Sequence, residues 1–323
     1  DVRARIAALS EMPEEWQKAI EVWGTTNRSK KERHEGATYP TRNDEYLFYQ
    51  VLLGVWPLEK MNELAHELFT ERMVTYMIKA AREAKVNTSW MQQDERYESA
   101  LEHFVREVLR DREFLATFVP FQKKVARYGA LNSLSQILLK FTAPGVPDLY
   151  QGNESWRFSL VDPDNRRPVE YRDLARMLDS LQRPPTAAFA QDLWRNWRDG
   201  RVKLWVTHRL LAHRHEHPEL YRDGTYRALE ASGPAAAHVV AFARTRGEQM
   251  VVTVAPRLMV TLSEGAESPL VGPEPWQETT IPLPAGTYLN RFTGEEVLSE
   301  GTVGLDELFA SLPVAQLERR DEG

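Results

Sequence analysis

The sequence predicts an α/β region followed by an all-β domain, and three observations lead to that fold class. Apolar residues recur at three- and four-residue steps from residue 1 to about residue 124, which is helical spacing. A short apolar run from Ile137 to Phe141 stops at Ala143-Pro144-Gly145 and is typical of a buried strand. After about Tyr221 the chain consists of short β-type runs broken by turn residues. The predicted domains are therefore residues 1–130, 131–220 and 221–323.

The first domain is predicted to be all helical. Ile6 and Leu9, then Trp16, Ile20 and Trp23, mark two opening helices. The polar residues 25–44 are predicted to form a long loop. The run SKKERHEG within this loop is predicted to be exposed to solvent rather than to bind a polyanion. Further helices are predicted at about residues 45–56, 58–84, 94–109 and 111–118.

The second domain is predicted to be one βα unit. The Ile137 to Phe141 strand leads into the polar segment 142–169, and returning helices follow in RPVEYRDLARMLDSL and GRVKLWVTHRLLAHRHEHP, the latter ending at Pro218. In the third domain, β-type runs occur in TYRALEA, HVVAFARTR, QMVVTVAPRLM, ETTIPLPAGTYLNRFTGEEV and VAQLERR. These predict a separate antiparallel domain.

Composition narrows the class of protein. The 323 residues are 42% hydrophobic and 27% charged, with a net charge of −6 and no cysteine. No apolar window reaches the ~18 residues of a membrane span, and no dense basic stripe favours nucleic acid. The lack of cysteine removes disulfides, zinc–thiolate sites and thiol nucleophiles. We therefore expect a cytoplasmic protein with neither membrane nor nucleic acid as partner.

The polar segment after the predicted strand is the best candidate for a binding site. In a barrel of parallel strands, the loops after the strands hold the active site. Carboxylates could accept hydrogen bonds from sugar hydroxyls, side-chain amides and guanidinium groups could donate them, and Tyr150 could stack on a sugar ring. The polar candidates are Asp148, Asn153, Glu154, Asp162, Asp164, Asn165, Arg166 and Arg167. The open alternative is that DPDNRRP is a turn with local salt bridges.

A histidine run invites a metal interpretation. His213, His215 and His217 lie close in sequence, with His208 nearby. Two-residue spacing on a helix points the rings to different sides, and the intervening Arg and Glu residues are typical of a solvated face. We therefore expect no metal site and no cofactor.

Five segments resemble one family. PGVPDLYQGNE is similar to the loop after the last barrel strand in the α-amylase superfamily (glycoside hydrolase family 13). SLVDPDNRRPVEY, RNDEYLFYQVLLGVWP, AREAKVNTSWMQQDERYESAL and KLWVTHRLLAHRHEHPELYRDGTYRAL resemble maltooligosyl trehalose synthases. The resemblance implies the last part of a (β/α)8 barrel with a large helical insertion, followed by a C-terminal antiparallel β domain.

The resemblance also implies an activity. Family members convert the reducing-end α-1,4 linkage of a maltooligosaccharide to an α,α-1,1 trehalose linkage, an isomerisation by intramolecular transglucosylation that uses three carboxylates as retaining glycosidases do. In the family, those carboxylates belong to barrel strands that precede the position of Asp1, so no catalytic residue is expected in this sequence. The missing N-terminal barrel portion is therefore an implied partner, either covalently joined to this chain or present as a separate chain. The expected maltooligosaccharide-binding residues are Tyr150, Gln151, Glu154, Asp162, Asn165, Arg166 and Arg167.

Two alternatives stay open at this point. A 4-α-glucanotransferase or α-glucan hydrolase would share the fold and the sugar-facing loop. A non-catalytic glycan-binding or assembly half of a split enzyme would explain why the acids lie outside this stretch.

Overall fold

The computed structural model describes residues 1–265 and 271–320, which divide into two compact units. The helical unit comprises residues 2–129 and 158–167. The mixed unit comprises Asp1 and residues 130–157 and 168–323. In the described ranges, no helix has both the length and the apolarity that a membrane span requires.

The helical unit is built from helices and one small hairpin. Its elements are α1 (Val2–Ala8), α2 (Pro13–Thr26), β1 (Glu32–His34), β2 (Ala37–Tyr39), α3 (Arg42–Val55), α4 (Glu63–Ala84), α5 (Glu95–Arg110) and the first part of α6 (Arg112–Thr142). The two opening helices are confirmed. The predicted loop at residues 25–44 is wrong in part, because β1 and β2 pair as an antiparallel hairpin inside it.

Aromatic side chains fill the core of the helical unit. Trp23 is 1% exposed and packs its ring against Tyr49, Phe114, Phe118 and Phe121 at centroid distances of 5.3 to 5.8 Å. Edge-to-face and tilted contacts of this kind stabilise a core beyond the area they bury. The aromatic residues here therefore serve packing rather than sugar stacking.

A buried arginine ties α1 to α3. Arg5 is 1% exposed, and its Nη1 donates to the carbonyl oxygens of Gly54 at 3.0 Å and Trp56 at 2.7 Å. Burial lowers the pKa of Arg5 to about 9, so the side chain stays charged at neutral pH. Its positive charge lies at the C-terminal end of α3, where a helix dipole favours a cation. Helix α6 approaches closely, because a Cβ added to Gly129 would lie 2.4 Å from Arg5 Cγ.

The predicted strand at Ile137 to Phe141 is wrong. These residues form the last part of α6, a helix of 31 residues that continues through Pro120, whereas the sequence prediction ended the helix near residue 118. A short apolar run cannot by its periodicity distinguish a buried strand from a buried helix. Residues 131–220, all of which are described, contain no strand, so the predicted βα unit is also wrong.

Helices of the mixed unit continue after the polar segment. They are α7 (Tyr171–Ser180), α8 (Ala187–Arg195), α9 (Arg201–Glu216) and α10 (Pro218–Asp223). Helices α7 and α9 confirm the two predicted returning helices. Pro218 stands at the first position of α10, where proline is tolerated because its missing N–H has no partner in a helix.

One antiparallel sheet completes the mixed unit and confirms the predicted antiparallel strands, and it belongs to the same compact unit as helices α7 to α10. Its strands are β3 (Thr225–Ala228), β4 (Val239–Arg246), β5 (Gln249–Pro256), β6 (Thr280–Asn290), β7 (Glu296–Gly304) and β8 (Ala315–Arg319), with the short helices α11 (Met259–Leu262) and α12 (Leu305–Leu308) between them. The order is β3-β4-β5-β8-β6-β7, so β8 lies between β5 and β6. Strand β5 is buried from Met250 to Pro256.

Candidate functional site

The first candidate segment is the irregular segment 143–157 of the mixed unit. It leaves the C-terminal end of α6, and Lys140 Nζ of that helix donates to the Asp148 carbonyl oxygen at 3.0 Å. A turn follows in which the Asn153 amide donates to the Tyr150 carbonyl oxygen at 3.0 Å. The side chains of Tyr150 and Gln151 are exposed, Tyr150 by 45%. Tyr150 therefore presents the open aromatic face that sugar stacking needs.

Two contacts fix the end of this segment on the start of α9. Ser155 Oγ donates to the Gly200 carbonyl oxygen at 3.2 Å, and Trp156 Nε1 donates to the Trp197 carbonyl oxygen at 2.6 Å. Gly200 has φ of 84°, and a Cβ there would lie 2.1 Å from Ser155 Oγ. Only glycine accepts both that φ and that close approach without strain. The loop end is thus held by helix α9.

A buried ion pair lies beneath the same segment. Lys203 Nζ lies 2.9 and 3.0 Å from the two carboxylate oxygens of Asp1, and it also donates to the Ser155 carbonyl oxygen at 3.1 Å. Asp1 further accepts from Ser133 Oγ at 2.6 Å and from the Arg157 amide at 2.7 Å. Burial lowers the pKa of Lys203, the positive charge of Lys140 lowers it further, and the negative charge of Glu154 opposes the shift. Asp1 is held in place by these structural contacts.

Glu154 is the best-placed acceptor in the segment. Its Oε2 is buried and makes no hydrogen bond within the described residues, although its backbone oxygen accepts from Thr207 Oγ1 at 3.4 Å. Its negative charge raises the pKa of Lys203 and opposes the effect of burial. A buried carboxylate oxygen with no hydrogen bond costs free energy that a ligand hydroxyl would recover.

The second candidate segment, residues 158–167 of the helical unit, folds around Asp164. Arg72 of α4 donates from Nε to Asp164 Oδ1 at 2.7 Å and from Nη2 to Oδ2 at 2.8 Å. The Leu160 amide donates to Oδ2 at 2.6 Å, and Arg72 Nη2 also donates to the Phe158 carbonyl oxygen at 2.5 Å. Burial raises the pKa of Asp164, but the hydrogen bonds from Arg72 and Leu160 outweigh it and hold that pKa below its ordinary value.

The remaining predicted residues lie on the turn that Asp164 anchors. Asp162 pairs with Arg166, and Arg167 Nε lies 3.1 Å from Asp164 Oδ1. Asn165 is half-buried in a short 3-10 turn, Asp164–Arg166. The local salt bridges of the open alternative are therefore present. The side chains of Arg166 and Arg167 nevertheless stay 70% and 51% exposed, so guanidinium N–H groups face solvent.

The predicted residues thus divide between the two units. Tyr150, Gln151 and Glu154 lie in the mixed unit, and Asp162, Asn165, Arg166 and Arg167 lie in the helical unit. Arg72 was not predicted, since nothing local marks a partner 92 residues from Asp164 in sequence. Two grooves of about 610 and 580 Å³ in the helical unit are lined by other residues, at 85–96 and between 61 and 115.

The histidine run is only partly solvated. His215 is exposed as predicted, but the prediction is wrong for His213, which is 0% exposed and faces strand β8. His213 lies in the last turn of α9 and His217 directly follows that helix, and their ring centroids are 4.6 Å apart, a proximity that the two-residue interpretation overlooked. With Glu318 they form a group of potential metal ligands.

Comparisons with known proteins agree on one enzyme. A curated protein of Mycobacterium tuberculosis, provisionally named a maltooligosyl trehalose synthase, is 35% identical over 321 residues, 99% of this chain and 36% of the relative. The solved maltooligosyltrehalose synthase of Arthrobacter ramosus is 32% identical with a TM-score of 0.78, covering 99% of this chain and 37% of that one. A hypothetical maltooligosyl trehalose synthase of Sulfolobus tokodaii is 29% identical with a TM-score of 0.72, again covering 99% of this chain and 37% of that one. No protein-family profile matches the chain.

Proposed function

We propose that this chain forms the glycan-binding part of a maltooligosyl trehalose synthase. The premise is that it is related to such enzymes over 99% of its own length and spans about a third of theirs. The single observation that carries the proposal is this chain-wide match, which includes both candidate segments. The complete enzyme would convert the reducing-end α-1,4 linkage of a maltooligosaccharide to an α,α-1,1 linkage.

Within that reaction, this chain would hold sugar and exclude water. Tyr150 offers a stacking face, while Gln151 and the buried Glu154 oxygen can bond hydroxyl groups. Asp162, Asn165, Arg166 and Arg167 would form a second set of polar contacts on a turn that Arg72 holds in place. Transglucosylation requires such an arrangement, because the displaced glucose must be retained while water is kept out.

The covalent chemistry would come from polypeptide outside this stretch. A retaining mechanism needs a nucleophile and an acid that becomes a base. The acids with lowered pKa here include Glu98 and Asp164, each held by an arginine as a structural partner would be. We therefore expect the 323-residue chain alone to bind glucan without turning it over.

The barrel assignment needs one revision. We propose that residues 146–150, which have no regular secondary structure, supply the barrel strand first assigned to Ile137–Phe141. Val146 is 98% exposed, and neighbouring strands from the rest of the enzyme would cover it. The sugar-facing residues 151–157 would then follow the strand directly, as the fold requires.

The test is the product formed by the full-length enzyme. Incubation with maltopentaose should give a non-reducing product, measured as loss of reducing ends without loss of total sugar. Steady release of glucose or maltose would instead assign a hydrolase. Turnover by the 323-residue chain alone would contradict the assignment of the catalytic acids to other polypeptide.

A further inference from the structure

Three potential ligands converge where α9 meets the sheet. The Nε2 atom of His213 lies 3.4 Å from Glu318 Oε1, and the Nε2 atom of His217 lies 3.1 Å from the same oxygen. The ligand atoms of all three residues lie within 4.8 Å of one another. From this geometry we propose that His213, His217 and Glu318 bind a divalent transition-metal ion of the zinc class. The proposal does not rest on the proposed function, because all three residues lie in the helix and sheet of the mixed unit.

The spacing suits a tetrahedral ion. Zinc bonds to imidazole nitrogen and carboxylate oxygen are about 2.0 to 2.2 Å, which places two ligands of a tetrahedron about 3.3 Å apart. The two nitrogen-to-oxygen distances, 3.4 and 3.1 Å, match that edge. The backbone keeps the spacing, since the His217 amide donates to the His213 carbonyl oxygen at 3.0 Å.

A buried network orients the His213 ring. Its Nδ1 lies 2.6 Å from the Tyr221 hydroxyl, which lies 2.8 Å from the Gln316 amide nitrogen. Two buried atoms in this network, His213 Nε2 and Gln316 Oε1, make no hydrogen bond among the described residues. Turning the Gln316 amide over lets Tyr221 donate to Oε1 and accept from His213 Nδ1–H, which directs the Nε2 lone pair at the proposed ion. A network that orients His213 as a metal ligand thus gives a partner to both His213 Nε2 and Gln316 Oε1.

The surrounding charges leave one carboxylate oxygen available. Arg291 Nη1 lies 3.1 Å from Glu318 Oε2, so the arginine engages that oxygen and leaves Oε1 to the two histidines. The positive charge of Arg291 opposes a bound cation, but Glu216 offsets it at 2.8 Å. Burial lowers the pKa of His213 and favours the neutral ring that metal binding requires.

The ligand set also selects the ion and gives it a path. Two imidazoles and one carboxylate favour zinc, cobalt or nickel over magnesium and calcium, which prefer oxygen ligands. The side chains of His217 and Glu318 are 25% and 23% exposed, so an ion can enter from solvent and keep a water in its fourth position. A bound ion would link the end of α9 to strand β8.

The competing explanation is an ion pair between protonated histidine and Glu318, and metal titration separates the two. The full-length protein, freed of metal with a chelator, is titrated with Zn²⁺ by calorimetry and with Co²⁺ by visible absorption. We expect one site whose affinity falls more than about 100-fold in His217→Gln, a larger loss than the 10- to 100-fold that is typical when a residue that only orients a ligand is replaced. Exposed His215→Gln is the matched control and should bind as the wild type does.

A second variant tests the orienting network without removing a ligand. Tyr221→Phe should weaken zinc binding by about 10- to 100-fold while the chelator-treated protein stays folded. The proposal is overturned if the wild type shows neither zinc heat nor a tetrahedral cobalt band. It is equally overturned if His217→Gln and Glu318→Gln bind zinc with wild-type affinity, or if His217→Gln only destabilises the metal-free protein.

Discussion

Replacing Arg72 with methionine should release the turn that carries Asp162, Asn165, Arg166 and Arg167. Arg72 donates two hydrogen bonds to Asp164 and one to the Phe158 carbonyl oxygen, and the two side chains are 16% and 9% exposed. Removing one partner of a buried pair costs about 3 to 5 kcal/mol. Since the Leu160 amide and Arg167 still contact Asp164, we expect a loss of about 2 to 3 kcal/mol in the free energy of unfolding.

Urea unfolding of the full-length protein, followed by circular dichroism, measures this loss. Arg167→Met is the matched control, because Arg167 contacts the same carboxylate but is 51% exposed and should contribute no more than about 1 kcal/mol. Hydrogen exchange at the Leu160 amide, which donates to Asp164 Oδ2, should accelerate only in Arg72→Met. Equal losses of unfolding free energy in the two variants would refute the conclusion that Arg72 is the main partner of the Asp164 carboxylate.

The same pair predicts a pH dependence. The pKa of Asp164 lies below its ordinary value of 3.8 in the folded protein, so its contribution is fully present above that value and is lost as pH falls through the folded pKa. The stability difference between wild type and Arg72→Met should therefore shrink below about pH 4. A difference that stays constant from neutral to strongly acidic pH would contradict the ion-pair account.

Three further predictions concern helix packing and the sugar contacts. Gly129→Ala should destabilise the protein by about 1 to 3 kcal/mol, because the added carbon would lie 2.4 Å from Arg5 Cγ. Gly24→Ala should instead stabilise it by about 0.5 to 1 kcal/mol, because the atom nearest to the added carbon lies 3.8 Å away. Thermal unfolding of the two variants compares these effects. Arg166→Ala in the full enzyme should cost about 1.5 to 3 kcal/mol of transition-state stabilisation, measured as a fall in kcat/KM for maltopentaose, and unchanged kinetics would leave only its salt bridge with Asp162. Glu154→Gln should raise KM while changing the free energy of unfolding by less than about 1 kcal/mol, since its Oε2 makes no hydrogen bond among the described residues; a folding defect would mark it as structural.

Local patterns predicted most regular elements of the fold. Helical spacing identified α1 to α5, and short β-type runs identified the strands after residue 224 except β7, of which the predicted run reached only Glu296 and Val297. The failure at Ile137–Phe141 has a physical cause, because α6 buries this turn of helix on several sides and its residues are therefore apolar without a helical period. The shorter helix α8 was not predicted.

The candidate site was harder to predict because its partners are distant in sequence. The polar segment itself stands out, and Glu154 keeps a buried oxygen without a hydrogen bond among the described residues. The contacts that fix the segment come from Arg72 and Lys203, which no local motif marks. Likewise, Glu318 completes the histidine group from a strand 101 residues beyond His217. Such pairs follow from tertiary structure alone.

The position of β8 has a consequence for how the mixed unit folds. Strand β8 pairs with β5 along one of its edges and with β6 along the other. The ribosome nevertheless makes it after all the other strands of the sheet. Until it arrives, the two hairpins β4-β5 and β6-β7 each present an uncovered edge, and such edges invite pairing with other chains. Newly made protein would therefore be prone to aggregation until Ala315–Arg319 has left the ribosome and paired with both edges.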